Sequence, residues 1–534
     1  MISNYIKVAI RNLLRQKGFS FINIFGLALG ITCTALIGMW VNDELSYDKF
    51  NKDYERMYRV TATLPELKVH AAVTPVPLAL AFQNEIPEVE TAVRISSLNR
   101  DLVQVGDLKF EEKNILYADS NFFKVFTFPF LKGDAEKALQ NPEGIVLTEE
   151  MALKYFGSTD ILDKIIRKNN EHNFTVTGVI ANVPENSHLQ FDFVQPMRYL
   201  ARTNGDLKYN IWDNYNWFTY IKLGSKAGQS ESDIAALEKT MQSIYKKNEP
   251  NLKVSFVLQP LERVHLYSNF LADLPGGGNA QNVYIFAIVA VFILVVACLN
   301  FMNLATARAA RRAKEVGLRK VVGAIRAHLM WQFLAESLLV ALVSLGFALL
   351  FIWLILPYFN TLGGKNLTLD FTNLKIIGGL LAITVITGLL AGSYPALYLS
   401  GFLPATVLKG NAASGASSSL FRNTMVVIQF AVSISLIVGT TVVYRQLKYI
   451  QALNLGYDKE NLLYIPMKGE LWSKYDALRT RLASNRLTSQ FSFIGEVPTS
   501  NGGATISVQW QGKDPESQPL FYNTADRRKF RGSL

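Results

Sequence analysis

The sequence predicts a multi-pass α-helical membrane protein with a large α+β extracytoplasmic domain, and three observations predict it. Five apolar blocks, at residues 19–41, 283–306, 329–356, 376–399 and 424–444, each reach the roughly 20 residues that a bilayer crossing requires. Between the first block and the second, residues 42–282 turn polar and mix strand and helix patterns over a length that suits one large or two ordinary domains. Between the second block and the third, Arg308, Arg311, Arg312, Lys314, Arg319, Lys320 and Arg326 crowd a short loop against one acid, Glu315. Lys/Arg-rich short loops stay on the cytoplasmic side. That loop and the N-terminus are therefore expected inside, and residues 42–282 outside.

Composition narrows the function classes. The formal charge of +11 suits nucleic acid in principle, yet the basic clusters flank membrane blocks, where topology and anionic lipid account for them; no nucleic acid is expected. Both cysteines, Cys33 and Cys298, fall inside apolar blocks, so the polar region has no disulfide available. His70, His172, His188, His265 and His328 show no metal-ligand spacing and read as solvated or core residues, so no metal site is expected. No nucleophile, base and orienting group recur in a catalytic pattern, and no catalytic residue is assigned. Gly276-Gly277-Gly278 and Gly363-Gly364-Lys365 lack the remaining positions of a phosphate-binding loop. No cofactor is expected on this chain, and ATP, if it drives the protein, belongs on a partner subunit.

Taken in order, residues 1–18 place Lys7, Arg11 and Arg15 on one helical face and Ile2, Ile6, Ile10, Leu13 and Leu14 opposite, as in a helix lying in the cytoplasmic interface. The first span holds a GxxxG at Gly26 and Gly30, which could pack on another membrane helix or on a second copy. In the polar region, strands are expected at 102–110, 174–180, 217–223 and 253–258, and helices at 76–85 and 233–247. Asn186, Ser187 and His188 read as a turn and strand entry, and Gly276-Gly277-Gly278 as a flexible joint. In the basic loop, Leu318, Val321, Val322, Ile325 and Leu329 form an apolar stripe, and Gly317 and Gly323 break the segment into one or two short amphipathic helices. As a pattern the loop either only sets topology or docks a cytoplasmic partner. Glu336, an acid inside the third span, is expected to pair with Arg319 or Arg326.

The loop at 358–375 carries two lysines and an aspartate, and its charge says little. Pro395 and Pro404 are expected to end helices. Residues 400–423, with a Gly, Ala and Ser run at 411–419, read as a cytoplasmic linker. A basic residue, one span and a polar opening at Tyr457-Asp458-Lys459 then echo Arg15, the first span and Tyr47-Asp48-Lys49, which suggests an internal duplication. Residues 445–534 are short for a second outer domain and end in the basic DRRKFRGSL, as a truncated or frame-shifted copy would.

Several motifs carry a resemblance. KEVGLRKVVGA followed by QFLAES, together with ELSYDKFNKDYERMYRV, ADSNFFKVFTFPFLKGD, VLTEEMALKYFG and VTGVIANVPENSHLQFDF, resemble the FtsX-like, MacB-type permeases of ABC transporters in their long, duplicated form. The resemblance implies a permease domain at 283–410 whose loop 307–328 is a coupling element resting on a cytoplasmic ABC ATPase. Arg308, Arg312, Glu315, Gly317, Arg319, Lys320 and Gly323 are its candidate contacts. It further implies two outer subdomains, one close to the membrane and one farther out that meets cargo or a periplasmic adaptor, a homodimer or pseudo-dimer, and a place among the lipids of the bacterial inner membrane. The expected function is a permease that transmits ATP-driven motion outward to extrude antimicrobial, peptide or lipoprotein cargo. The alternative is a membrane-anchored sensor or scaffold with an outer ligand-binding domain.

Overall fold

A computed structural model describes residues 11, 17–65, 69–228, 230–250, 252–307, 316–401, 416–453, 462–467, 471, 474–486, 488, 491, 504–505, 510–512 and 521–522. The chain divides into two units, one within residues 1–45 and 280–461 and the other within 46–279 and 462–534.

The second unit is α+β. In chain order it runs through β1 (Met57–Leu64), β2 (Val69–Ala71), β3 (Thr74–Pro75), α1 (Leu78–Glu85), β4 (Val89–Ile95), β5 (Asn99–Val105), β6 (Leu108–Ala118) and α2 (Phe122–Val125). It continues through β7 (Phe130–Gly133), β8 (Gly144–Thr148), α3 (Glu149–Phe156), β9 (Ile165–Lys168), β10 (His172–Ile180), β11 (Phe193–Pro196), α4 (Met197–Leu200) and α5 (Gly205–Tyr209). Last come β12 (Tyr215–Leu223), α6 (Glu231–Asn248), β13 (Ser255–Pro260) and α7 (Leu261–Val264). The main strand order is β11-β8-β10-β9-β5-β6-β4-β12-β1-β13, and β11 also pairs with β6, so six strands from β11 to β6 close into a ring.

Small closed sheets fill their interior with side chains. Here Val103, Ile115, Ile145, Leu147, Ile166, Phe174, Val176 and Phe193 form one core with Met151 and Tyr155 of α3. A second core lies under α6 and α1, where Leu237, Met241, Ile244 and Tyr245 meet Phe82, Val60 and Phe256. α6 opens on a capping box, in which Ser230 and Asp233 satisfy each other's backbone N–H groups. A third core gathers Phe122, Phe126, Phe128 and Phe191 beside Tyr220.

Two sequence expectations change here. The strand expected at 102–110 is the hairpin of β5 and β6: Gly106 takes φ 56°, a region glycine enters without penalty, and the chain reverses there with Val105 opposite Leu108. The glycines at 276–278 form a bonded turn rather than a free joint, with Gly276 at φ 97° and Gly278 N–H donating to His265 O at 2.8 Å.

The first unit is helical. It holds Lys17–Leu45 (α8), Ala280–Ala307 (α9), Arg326–Gly363 (α10), Leu374–Ser400 (α11) and Ala416–Ala452 (α12), whose apolar stretches are each long enough to cross a membrane. Its helices approach through small residues, as membrane helices do in the absence of a hydrophobic drive between them. A Cβ on Gly30 would lie 2.6 Å from Ala297 Cβ of α9, and one on Gly392 of α11 would lie 2.7 Å from Ser337 Cβ of α10. Gly26 and Gly30 thus face α9 of the same chain.

Three helix ends differ from expectation. α10 continues through Pro357 to Gly363. Pro395 is buried inside α11, which runs on to Ser400. A membrane helix tolerates a proline because its neighbours re-satisfy the freed backbone. α12 starts at Ala416, inside the stretch read as linker. Pro404 and most of the expected second outer domain lie outside the described residues, as does all but the end of the interfacial helix apart from Arg11.

Candidate functional site

The basic loop is described from Val316 onward; Arg308, Arg312 and Glu315 lie outside the described residues. Residues 316–321 are helical, so Gly317 sits inside a helix and is buried there rather than breaking it. Gly323 does turn the chain, at φ 98°, before α10 begins at Arg326. One face of the segment is seated: Val316, Leu329 and Phe333 are buried with Ala396 and Leu399 of α11.

Polar ties hold the seat. Arg319 Nη1 donates to Gln332 Oε1 at 2.9 Å, Lys320 Nζ to Ser400 O at 2.6 Å, and Arg326 Nε to Ser400 Oγ at 3.4 Å. Glu336, the expected partner of Arg319 or Arg326, is half-buried one turn beyond Gln332 on α10. Burial pushes the Lys320 ammonium down, and the neighbouring Arg326 charge adds to the shift.

The other face is bare. Leu318 is 60% exposed, Val321 61%, Val322 81% and Ile325 56%. Beside it, Leu318, Arg319, Val322, His328, Leu329 and Gln332 are among the residues lining a cleft of about 520 Å³. Of the stripe read from the sequence, only Leu329 turns inward; the other four residues stay in the open.

In the α+β unit, the histidines read as core residues include one inside a polar chain. Asp48, at φ 62°, approaches His188 Nδ1 at 2.8 Å, and His188 Nε2 meets Tyr220 Oη at 2.7 Å. Nearby, fully buried Arg59 donates to both oxygens of Asp273, at 2.6 and 3.0 Å, and to Gln259 and Ser268. Inside the strand ring, Lys168 meets Asp101 at 3.2 Å, donates to Gln195 Oε1 at 2.7 Å and to Tyr117 Oη, and lies over the rings of Tyr117, Phe174 and Tyr199. Burial pushes its ammonium down against the pull of Asp101. All three centres point inward and are built from paired groups, and within them Asp48 Oδ2, His188 Nδ1 and Gln195 Nε2 are buried without a hydrogen-bond partner. Sequence reasoning missed Gln332, Ser400, Asp48 and Tyr220, because each acquires its role only from a distant segment. Among the described residues no cluster of His, Cys, Asp and Glu could hold a metal ion.

Comparison with known proteins places these features. Residues 20–240 match the model of the MacB-like periplasmic core domain, and residues 287–404 match the FtsX-like permease C-terminal model. The macrolide export ATP-binding/permease protein MacB of Bdellovibrio bacteriovorus is 32% identical over 118 residues, 21% of this chain and 16% of that protein. Its relative MacB 1 of Yersinia pestis bv. Antiqua is 36% identical over 122 residues, 22% of this chain and 18% of that protein. The matched segments thus span less than a fifth of those relatives' length, within their permease part. Among solved structures, the periplasmic region of MacB from Actinobacillus actinomycetemcomitans is 14% identical, covers 39% of this chain and 90% of that one, and gives a TM-score of 0.30.

Proposed function

The chain belongs to the FtsX/MacB-type permease family, and from that premise we propose that it is the membrane subunit of an ABC exporter in the bacterial inner membrane. A separate cytoplasmic ATPase docks on residues 316–325, and its nucleotide cycle moves the membrane helices and through them the extracytoplasmic domain. Substrates of the antimicrobial, peptide or lipoprotein class are extruded by that motion. The observation that carries the proposal is the bare row of Leu318, Val321, Val322 and Ile325, fixed on a buried seat and flanked by Arg319, Lys320 and Arg326. Exposed apolar residues rimmed by charge mark an interaction site. A device that does no chemistry needs a contact of this kind, because a partner can shift a two-state packing only by the free energy with which it prefers one state.

The test is copurification from native membranes. Val322→Asp and Leu318→Asp should each lower recovery of the ATPase by at least about tenfold, equal to some 1.4 kcal/mol of binding, while thermal unfolding of the chain stays near wild type because both sites are exposed. Retention of the ATPase by both variants would sink the proposal.

The sensor alternative draws on one observation, a cleft of about 510 Å³ in the α+β unit. Arg198, Asn210, Ser120 and Leu80 are among the residues lining it. Copurification of a kinase or cyclase in place of an ATPase would favour that alternative.

A further inference from the structure

α10 is one 38-residue helix with a polar attachment at each end. At its start Gln332 accepts from Arg319 of the coupling segment at 2.9 Å. At its finish Gly364, at φ 60°, caps the helix, and the N–H of Lys365 donates to Asn360 O at 3.1 Å. The Asn360 side chain also exchanges two bonds with the backbone of Leu367, at 2.9 and 3.1 Å, so the turn that carries Lys365 is held from both sides.

That turn brings Lys365 to the last turn of α8. Its Nζ lies 2.7 Å from Asp43 Oδ2 and 2.8 Å from Glu44 Oε1, and the three side chains are only 12%, 21% and 7% exposed. Two successive carboxylates at the C-terminal end of a helix oppose its dipole and repel each other. α8 has no basic residue of its own in that turn. The compensating charge therefore comes from the far end of α10, and α8 leads directly by chain into Ser46, the first residue of the α+β unit.

We propose that Lys365, held against Asp43 and Glu44, is the positioning residue that delivers displacement of α10 to the end of α8 entering the extracytoplasmic domain. The role rests on the permease function proposed above. Lys365 touches no cargo or nucleotide; it acts by making α8 follow α10. The apolar contacts between the two helices, such as Leu36 and Ile352, resist separation but are not directional. The hydrogen-bonded contacts of an ammonium with two carboxylates are short-ranged and directional, and a one-turn slide of about 5.4 Å breaks both. Lys365 therefore fixes register.

The experiment uses the full chain with the ATPase that copurifies with it, carrying a fluorophore at Asp107→Cys, an exposed position on the β5–β6 hairpin, in a background without Cys33 and Cys298. The readout is the ATP-dependent change at the label. Lys365→Gln should keep the ATPase bound yet reduce that change by about fivefold or more, the scale of an ordinary coupling loss. Lys365→Arg should retain it, and Lys365→Glu with Asp43→Lys, which rebuilds one cation between two acids, should restore it. A wild-type response in Lys365→Gln overturns the clamp and leaves the permease function standing. If Lys365→Gln does not assemble, the charge swap decides, and an assembled swap without ATP response overturns the clamp. Failure of the unsubstituted chain to recover any ATPase overturns the permease function and the clamp with it.

Discussion

Arg59 shows what a single residue costs and supplies in this protein. Its side chain is fully buried, and a buried charge is tolerable only when it is paired and hydrogen-bonded. Asp273, Gln259 and Ser268 together take its donors, and the Phe270 ring lies 5.5 Å from the guanidinium carbon. Arg59→Met strands Asp273 among those groups and should destabilise the protein by about 3–5 kcal/mol. Adding Asp273→Leu should recover most of the loss, since the orphaned charge rather than the missing pair dominates it. Chemical unfolding of the full chain followed by tryptophan fluorescence checks both; equal stabilities for the single and double variants would refute that account.

At the scale of elements, the contact of α8 with α9 depends on absent side chains. Gly30 lies against Ala297, and Thr34 Oγ1 donates to Ala290 O across the same interface at 3.2 Å, so the backbones stay close over about one turn of α8 and two of α9. Gly30→Leu places four carbons where not even one methyl fits. Overpacking of this kind costs about 1–3 kcal/mol, and the thermal midpoint of the purified protein in detergent should fall accordingly. Gly38→Leu, on the same helix with nothing near its Cβ, should leave the midpoint unchanged. A like effect at both positions would deny the interface. The same geometry sets the GxxxG residues Gly26 and Gly30 against Asn300 and Ala297 of α9.

At the scale of the whole molecule, the proposed mechanism requires the coupling segment and the α+β unit to lie on opposite sides of the membrane. The charge bias of the basic loop predicts a cytoplasmic position for it. A membrane-impermeant maleimide should therefore label Asp107→Cys in spheroplasts, and should label Val322→Cys only after the membrane is opened. Labelling of both in closed spheroplasts would refute the arrangement and the ATPase-docking proposal together.

The sequence by itself determined the membrane class, the run of helical spans and an α+β outer region, because hydrophobic length and residue periodicity are local quantities that survive without a fold. Leu318, Val321 and Val322 could be named as a stripe for the same reason, although which of its members would stay bare could not. Only the tertiary structure decided that Leu329 turns inward, that Arg319 finds Gln332, and that Lys365, from a loop whose charge seemed uninformative, closes on Asp43 and Glu44. Lys365 and Asp43 are 322 positions apart. Their contact forms only at hydrogen-bond distance, so no pattern along the chain could record it before α10 and α8 were packed side by side.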